Sequence, residues 1–300
     1  MIYVLLSTYN GAQYLPQQLE SILGQDCPNL HLLIRDDGST DTTVSILHEY
    51  EAKYPQIKLI VGKNIGVVAS FFALILAVPT NADFVAFCDQ DDIWLSQKLS
   101  RAISCLNSLS ITSPNLYCSA TQLINAAGDY ITTVQKKIKK LDLSYSLIGN
   151  IVTGCTAVFN QPLLKLLQNN QPKASEVILH DWWIYLLASA CGKVCYDEQS
   201  FILYRQHANN VVGNTSFFKR IKKFCGNLKK YSISRQAAEF YRVYQHHLTH
   251  QQNQILTEYI NTLRNGNFFI RFSYILRCPF HRVGILENLF FHIIILFKLG

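Results

Sequence analysis

Short apolar runs alternate with apolar positions at helical spacing along the first hundred residues. Ile2–Leu6, Leu30–Arg35, Ile57–Val61 and Phe84–Cys88 read as strands. Runs of this length with little polar alternation suit strands buried on both faces of a parallel sheet. Between them, Leu15, Leu19, Ile22 and Leu23 recur at helical spacing, a second helix runs through Tyr50 with Ser39 or Thr40 as its expected cap, Val67–Ala77 forms an apolar helix, and another runs from Leu95 to about Leu106. Turn chemistry separates the elements at Asn10-Gly11, Asp36–Asp41 and Asn64-Ile65-Gly66. Such alternation predicts an α/β fold with a mostly parallel, doubly wound sheet. Right-handed crossovers then bring the strand-to-helix loops Ser7–Gly11, Asp36–Asp41 and Asp89–Trp94 to one edge.

After Asn107 the rhythm changes. Leu116–Asn125 and Tyr130–Val134 read as strands around a turn at Ala127-Gly128-Asp129, and Gln135–Lys140 as a basic linker. Ile151–Asn160 is expected as a strand, a helix follows Pro162, and Val177–Ala190 carries a second helix that begins near His180. Lys193–Tyr196 and Phe201–Arg205 read as two short strands. From Ser216 the pattern is helical and basic. Ile285–Gly300 is mostly Ile, Leu and Phe but is interrupted by Glu287, Asn288, His292 and Lys298. A membrane span needs about 20 apolar residues, so this segment suits a bilayer interface or a helical subdomain better. The expected division is a catalytic α/β domain over 1–212 and a helical, basic region over 213–300.

Composition sharpens this. The chain has 300 residues, 49% hydrophobic and 16% charged, which provides a sizeable core and excludes a disordered chain. The net charge of +7 is uneven: Gly213 onward holds 13 Lys/Arg against 3 Asp/Glu, whereas the first 212 residues hold 14 against 17. The last third therefore points to an anionic partner: a membrane surface, a phosphate-bearing lipid or nucleic acid, of which nucleic acid is not the expected one. Nine scattered cysteines, several inside apolar runs, suggest reduced thiols and a cytoplasmic setting. Met1–Ser7 lacks the basic start of a signal peptide and reads as the first strand.

The chemistry concentrates in Phe84–Trp94, where an apolar strand stops at Asp89, Asp91 and Asp92. Three carboxylates this close repel one another unless a cation sits among them. Asp89 and Asp91 can share one hard divalent ion that keeps room for phosphate oxygens, whereas Asp92 is expected to cap the next helix. Asp37, in an acidic turn with Asp36 and Gly38, suits reading a ligand N–H, Asp41 suits capping, and Tyr9 offers a flat face to a nucleobase. Asp181 sits where a helix begins, beside Trp182 and Trp183. It is either a helix-terminal acid or a general base with its pKa raised by apolar neighbours. Either tryptophan could wall a sugar site or belong to the core. Arg205 and His207 supply a cation and a metal ligand or donor suited to a diphosphate. An Asp-x-Asp after a strand also occurs in Asp-dependent phosphatases of the haloacid-dehalogenase type, but there it precedes the second acidic motif and here it follows it. A basic membrane- or sugar-binding module without activity is the non-enzyme alternative.

Taken in chain order, Leu-Leu-Ser-Thr-Tyr-Asn-Gly (5–11), Asp-Asp-Gly-Ser-Thr-Asp (36–41), Asn64-Ile65-Gly66 with Ser70-Phe71, Phe-Cys-Asp-Gln-Asp-Asp-Ile-Trp (87–94), Gly154-Cys155-Thr156, His180-Asp181-Trp182 and Tyr204-Arg205-Gln206-His207 resemble family 2 inverting glycosyltransferases of the glycosyltransferase-A fold. The likeness is to rhamnosyltransferase-like members of bacterial surface polysaccharide synthesis and covers roughly residues 2–212. It implies a Rossmann-like, mostly parallel central sheet flanked by helices. Thr8, Tyr9, Asp36, Asp37, Asp89, Gln90 and Arg205 would bind the nucleotide-sugar. Asp89, Asp91 and His207 would hold Mg2+ or Mn2+, and Asp181 would be the catalytic base. His180 stands where many relatives have Glu. The resemblance also implies a dTDP-rhamnose or UDP-hexose donor, a lipid-linked saccharide acceptor in O-antigen or capsule synthesis, and a cytoplasmic protein peripheral to the inner face of the cell membrane.

Overall fold

The structure, a computed structural model, describes residues 1–136, 138, 140–207, 232–277 and 285–297. The chain forms two compact units: Met1–Lys136, Val152–Asn169 and Gly192–Gly213 make the first, and Lys137–Ile151, Asn170–Cys191 and Asn214–Gly300 the second. The division expected at 212 and 213 lies beside one crossing between units, but two earlier segments also belong to the helical unit.

The first unit is built on β1 (Ile2–Thr8), β2 (Leu30–Asp36), β3 (Ile57–Val61), β4 (Phe84–Cys88), β5 (Ile93–Trp94), β6 (Asn115–Ile124), β7 (Tyr130–Val134), β8 (Val158–Asn160) and β9 (Lys193–Arg205). Among the described residues these form one sheet in the order β3-β2-β1-β4-β8-β6-β9-β5, with β7 on β6. The β1–β2, β2–β3, β1–β4 and β6–β9 pairs are parallel, and β8 runs antiparallel to β4 and β6. The parallel half is the doubly wound sheet expected from the alternation. Helices α1 (Leu15–Leu23), α2 (Thr43–Lys53), α3 (Val67–Ala77) and α4 (Lys98–Asn107) follow β1, β2, β3 and β5.

Burial explains the apolar runs. Ala86 and Cys88 of β4 join the core that α1 and α4 close with Leu15, Leu19, Leu99 and Ala102. Phe87 points the other way, onto Phe71 of α3 and Phe159 of β8, with centroids 5.0 and 5.3 Å away. A strand covered on both faces cannot alternate polar with apolar.

Four local expectations change. Lys193–Arg205 is one strand with register irregularities opposite Ser119–Gln122, so the polar residues between its two apolar ends are a bulge and not a loop. Of Ile151–Asn160 only Val158–Asn160 is strand, because Gly154–Thr156 tightens into a 3₁₀ turn. The α4 helix begins at Lys98 and not Leu95, because Ile93 and Trp94 pair with β9. Cys105 of α4 and Cys195 of β9 form a disulfide across 90 residues of sequence, contrary to the expectation of reduced thiols. Sequence spacing gave no sign that the fold lays these two positions together, and the pairing removes one argument for compartment. Cys27, Cys88, Cys118, Cys155 and Cys191 take no part in a disulfide; Cys225 and Cys278 lie outside the described residues.

The second unit contains α5 (Leu143–Ser146), α7 (His180–Cys191), α8 (Ile233–Tyr244), α9 (His250–Asn265), α10 (Phe268–Arg277) and α11 (Ile285–Phe297), while α6 (Gln161–Asn169) belongs to the first. Trp183 of α7 is fully buried with its ring edge-on to Phe240 and tilted against Tyr244 of α8. Among the described residues no helix is long and apolar enough to cross a membrane. The basic cluster Lys219–Lys230 lies outside the described residues.

Candidate active site

The β1–β2 register sets Thr8 directly beside Asp36, and everything at this edge follows from that pairing. Asp36 is fully buried. Its Oδ1 accepts the Gly38 and Ser39 backbone N–H groups, and its Oδ2 accepts the Thr8 and Ser39 hydroxyls. All four acceptor positions of the carboxylate are occupied, so Asp36 acts through the turn it holds. Gly38 has φ +85°, the left-handed backbone that glycine adopts without a Cβ clash. Asp37 is buried in an ion pair with Arg35. Its Oδ1 also accepts Ile65 N–H and its Oδ2 accepts Gly66 N–H, which leaves Oδ2 one further lone pair. The expected cap of α2 is corrected: the N-cap is Thr42, with no side-chain cap bond, Asp41 accepts the Thr43 N–H, and Ser39 takes Asn10 N–H instead.

The loop after β4 docks onto this edge. The Gln90 carboxamide accepts Tyr9 N–H at 2.8 Å and donates to Tyr9 O at 3.1 Å. That two-point latch ties the acidic loop to the loop bearing Tyr9, whose side is 48% exposed. The three strand-to-helix loops expected to meet do meet.

The three carboxylates then diverge. Asp91 Oδ2 lies 2.6 Å from His207 Nε2, with both side chains largely covered. Asp92 does not cap α4: it is fully buried and its Oδ1 accepts the Arg205 backbone N–H. Its Oδ2 has no protein hydrogen-bond partner. Asp89, Asp92 and Cys155 each offer a ligand atom, all within 4.8 Å of one another. Burial pushes the Asp92 carboxyl well above the usual range, with the Asp91 and Asp89 charges adding to the rise. Burial also raises the Cys155 thiol, with Asp92 next in effect.

Sequence reasoning missed the internal countercharge, Lys98. It is 2% exposed, with its ammonium 3.5 Å from the Trp94 ring centroid. Burial lowers its pKa to about 8, while the Cys88, Cys155 and Asp92 charges pull the other way. One signal was available: Lys98 shares a helical face with the core residue Ala102, four positions on.

Arg205 is also more enclosed than its expected diphosphate role requires. It is buried; Nε donates to Asp91 O, Nη1 to Ala126 O, and Nη2 to Gln17 Oε1, at 2.9, 3.0 and 2.7 Å. The guanidinium lies 4.7 Å from the Tyr14 centroid, and Tyr14 in turn sits 5.2 Å from the His207 ring. Arg205 is thus a clamp that fixes Asp91 between α1 and the β6–β7 turn. Arg205→Lys is expected to lower unfolding free energy by about 2–4 kcal/mol, since an ammonium cannot reproduce a planar fork of donors. Urea denaturation checks this.

Asp181 belongs to the second unit, at the start of α7. It is buried, and its Oδ1 accepts the adjoining Trp182 N–H at 2.6 Å. Trp182 donates from Nε1 to Ser146 O of α5, and Trp183 is core, so Trp183 is no wall for a sugar. Burial lowers the neighbouring His180 to a pKa of about 3. The unfolded chain takes up a proton near pH 6.5 that the folded chain refuses, so stability is full above that pH and falls as pH drops towards about 3. The slope approaches about 1.4 kcal/mol per pH unit. Between about pH 6.5 and pH 5, the wild type is expected to lose about 2 kcal/mol more than His180→Gln, as read from denaturation midpoints.

With this geometry in hand, comparison with known proteins is direct. A sequence model of glycosyl transferase family 2 matches residues 3–165, just over half of the chain and all three converging loops. The chain belongs to glycosyl transferase family 2. It is 35% identical over 230 residues to the dTDP-rhamnosyl transferase RfbG of Shigella flexneri, covering 73% of this chain and 77% of that one. In fold it is similar to S. aureus TarS 1-349 in complex with UDP-GlcNAc, at TM-score 0.57 and 14% identity over 99% of this chain and 90% of that one. The mannosyltransferase PcManGT of Pyrobaculum calidifontis, solved with GDP-Man and Mn2+, gives TM-score 0.55 and 14% identity over 96% and 77%. The mixed, mostly parallel sheet flanked by helices is the glycosyltransferase-A fold, and the family 2 membership makes this chain a glycosyltransferase. The phosphatase and inactive-module alternatives are thereby set aside.

Within this family 2 enzyme, the acidic loop suits a divalent cation. Asp89 and Asp92 converge with Cys155, Asp91 and His207 lie together, and the buried Asp92 Oδ2 lacks a protein donor. Hard carboxylate oxygens favour Mg2+ or Mn2+.

Proposed function

We propose that this glycosyltransferase moves rhamnose, with inversion, from dTDP-rhamnose to a hydroxyl of a lipid-linked saccharide in O-antigen or capsule synthesis. The Gln90–Tyr9 latch carries the proposal. It places an exposed aromatic face beside a carboxylate loop, the pairing a nucleoside diphosphate needs for its base and its phosphates. The likeness to a dTDP-rhamnosyl transferase supports the choice of donor, with a UDP-hexose as the other candidate.

In this reading Tyr9 covers the nucleobase and Asp37 takes a base N–H on Oδ2. Thr8 and Asp36 hold the turn, and Gln90 keeps the two loops in register. Asp89 and Asp91, with His207, would hold Mg2+ or Mn2+, which when bound neutralises charge on the departing diphosphate. The acceptor oxygen attacks the anomeric carbon as the bond from that carbon to the diphosphate oxygen breaks. The electron pair leaves with the nucleoside diphosphate, and the hydroxyl proton passes to Asp181. Arg205 keeps Asp91 in place throughout.

The basic composition of the last third supports work at the cytoplasmic face of the cell membrane, with anionic lipid attracting the C-terminal region. A thermal-shift screen of dTDP-rhamnose, UDP-hexoses and GDP-mannose, with and without Mn2+, tests the donor. The expected result is selective stabilisation by dTDP-rhamnose; stabilisation by a UDP-hexose alone would replace it.

A further inference from the structure

Among the described residues, the second unit carries an apolar face left exposed by its helices. Phe269, Phe272 and Leu276 of α10 lie at i, i+3 and i+7, with Phe269 78% and Leu276 72% exposed. The Phe268 ring stacks parallel to that of Phe272. Helices α10 and α11 pack on each other, burying Tyr274 and Phe291 and leaving Leu289 and Ile293 of α11 outward. The only cation in the middle of α10, Arg271, is buried and donates to Thr262 O and Leu263 O at the end of α9. Charge is thus withdrawn from the face itself. At its C-terminal end Arg277 is exposed, and Glu287 is the one acid in the sequence from Phe268 to the last residue.

Aromatic and aliphatic side chains in this number, side by side on adjacent helices, mark a surface built to be covered. Neither helix spans a bilayer, with 10 and 13 residues against the about 20 required. A two-fold pairing with a second copy would bring one cationic rim onto the other. A bilayer with anionic headgroups accepts both the rings and the guanidinium groups.

We propose that the outward face of α10 and α11, centred on Phe268, Phe269, Phe272 and Leu276 and bounded by Arg277, is an interfacial anchor that lays the enzyme on an anionic membrane. This rests on the lipid-linked acceptor proposed above, since it gives that acceptor's membrane a defined docking surface.

Flotation of the full chain with phosphatidylglycerol–phosphatidylcholine vesicles, and with pure phosphatidylcholine vesicles, tests the anchor. Wild type is expected to float with the anionic vesicles and more weakly with the neutral ones. The double variant Phe269→Ser/Phe272→Ser should bind both at least roughly tenfold more weakly, with an unchanged circular dichroism spectrum. Arg277→Gln should lose several-fold on anionic vesicles only. A wild type that floats with neither, or a double variant that floats like wild type, overturns the anchor. So does sedimentation velocity showing a dimer that the double variant dissociates. Transfer to a lipid-linked and to a soluble saccharide acceptor, measured on the same proteins, separates the two proposals: transfer to the soluble acceptor alone with flotation intact removes the lipid-linked acceptor and leaves the anchor.

Discussion

Replacing Asp181 with Asn is expected to lower the rate of sugar transfer by roughly 10²–10⁴ while donor binding persists. The substitution keeps the size of a side chain that is already buried at the head of α7, and an amide oxygen can still accept the Trp182 N–H held by Oδ1. In the proposed mechanism it removes the capacity to take a proton from the acceptor hydroxyl. The effect should fall on turnover in single-turnover transfer assays, with the thermal shift by dTDP-rhamnose unchanged. Wild-type turnover in Asp181→Asn would falsify its assignment as the base.

The second large effect is expected at Asp91. Asp91→Asn keeps the backbone carbonyl that anchors Arg205 but removes the negative charge facing His207. Loss of one group that stabilises developing leaving-group charge is worth roughly 10²–10³ in turnover. Here the stabilisation of the protein by donor plus Mn2+ should fall as well, unlike in Asp181→Asn. The two variants therefore separate the acid proposed to serve the acceptor from those proposed to serve the donor. If Asp91→Asn retains both turnover and metal-dependent stabilisation, the cation is held by Asp89, Asp92 and Cys155 instead.

Legibility in the sequence followed chain proximity. Ile57–Val61, Val67–Ala77 and Phe84–Cys88 occupy the spans their apolar spacing indicates, because a strand covered on both faces and an apolar helix leave local signatures. Parallel topology follows from alternation, so the meeting of Tyr9, Asp36 and Gln90 was legible too. What could not be read was how a charged side chain is satisfied. Asp92 looks like a helix cap from its neighbours, yet its partner is the backbone of Arg205, 113 residues away. Arg205 was read for its charge, and nothing in its neighbours in sequence signals that its donors reach Asp91, Ala126 and Gln17. Lys98 was hidden because lysine on a helix is ordinarily solvated. The Cys105–Cys195 bond depends on a packing of α4 against β9 that no local pattern encodes.

The interleaving of the two units limits how the protein can be taken apart. The chain enters the helical unit three times, at Lys137–Ile151, Asn170–Cys191 and Asn214–Gly300, so cutting after Gly213 does not remove an appendage. It would strip Phe240 and Tyr244 from Trp183 and expose the core beneath the helix that carries Asp181. Residues after Gly213 are therefore not a self-contained cassette in this chain. Recombination within such a family would have to carry the segment around Asp181 along with the helices that pack on it.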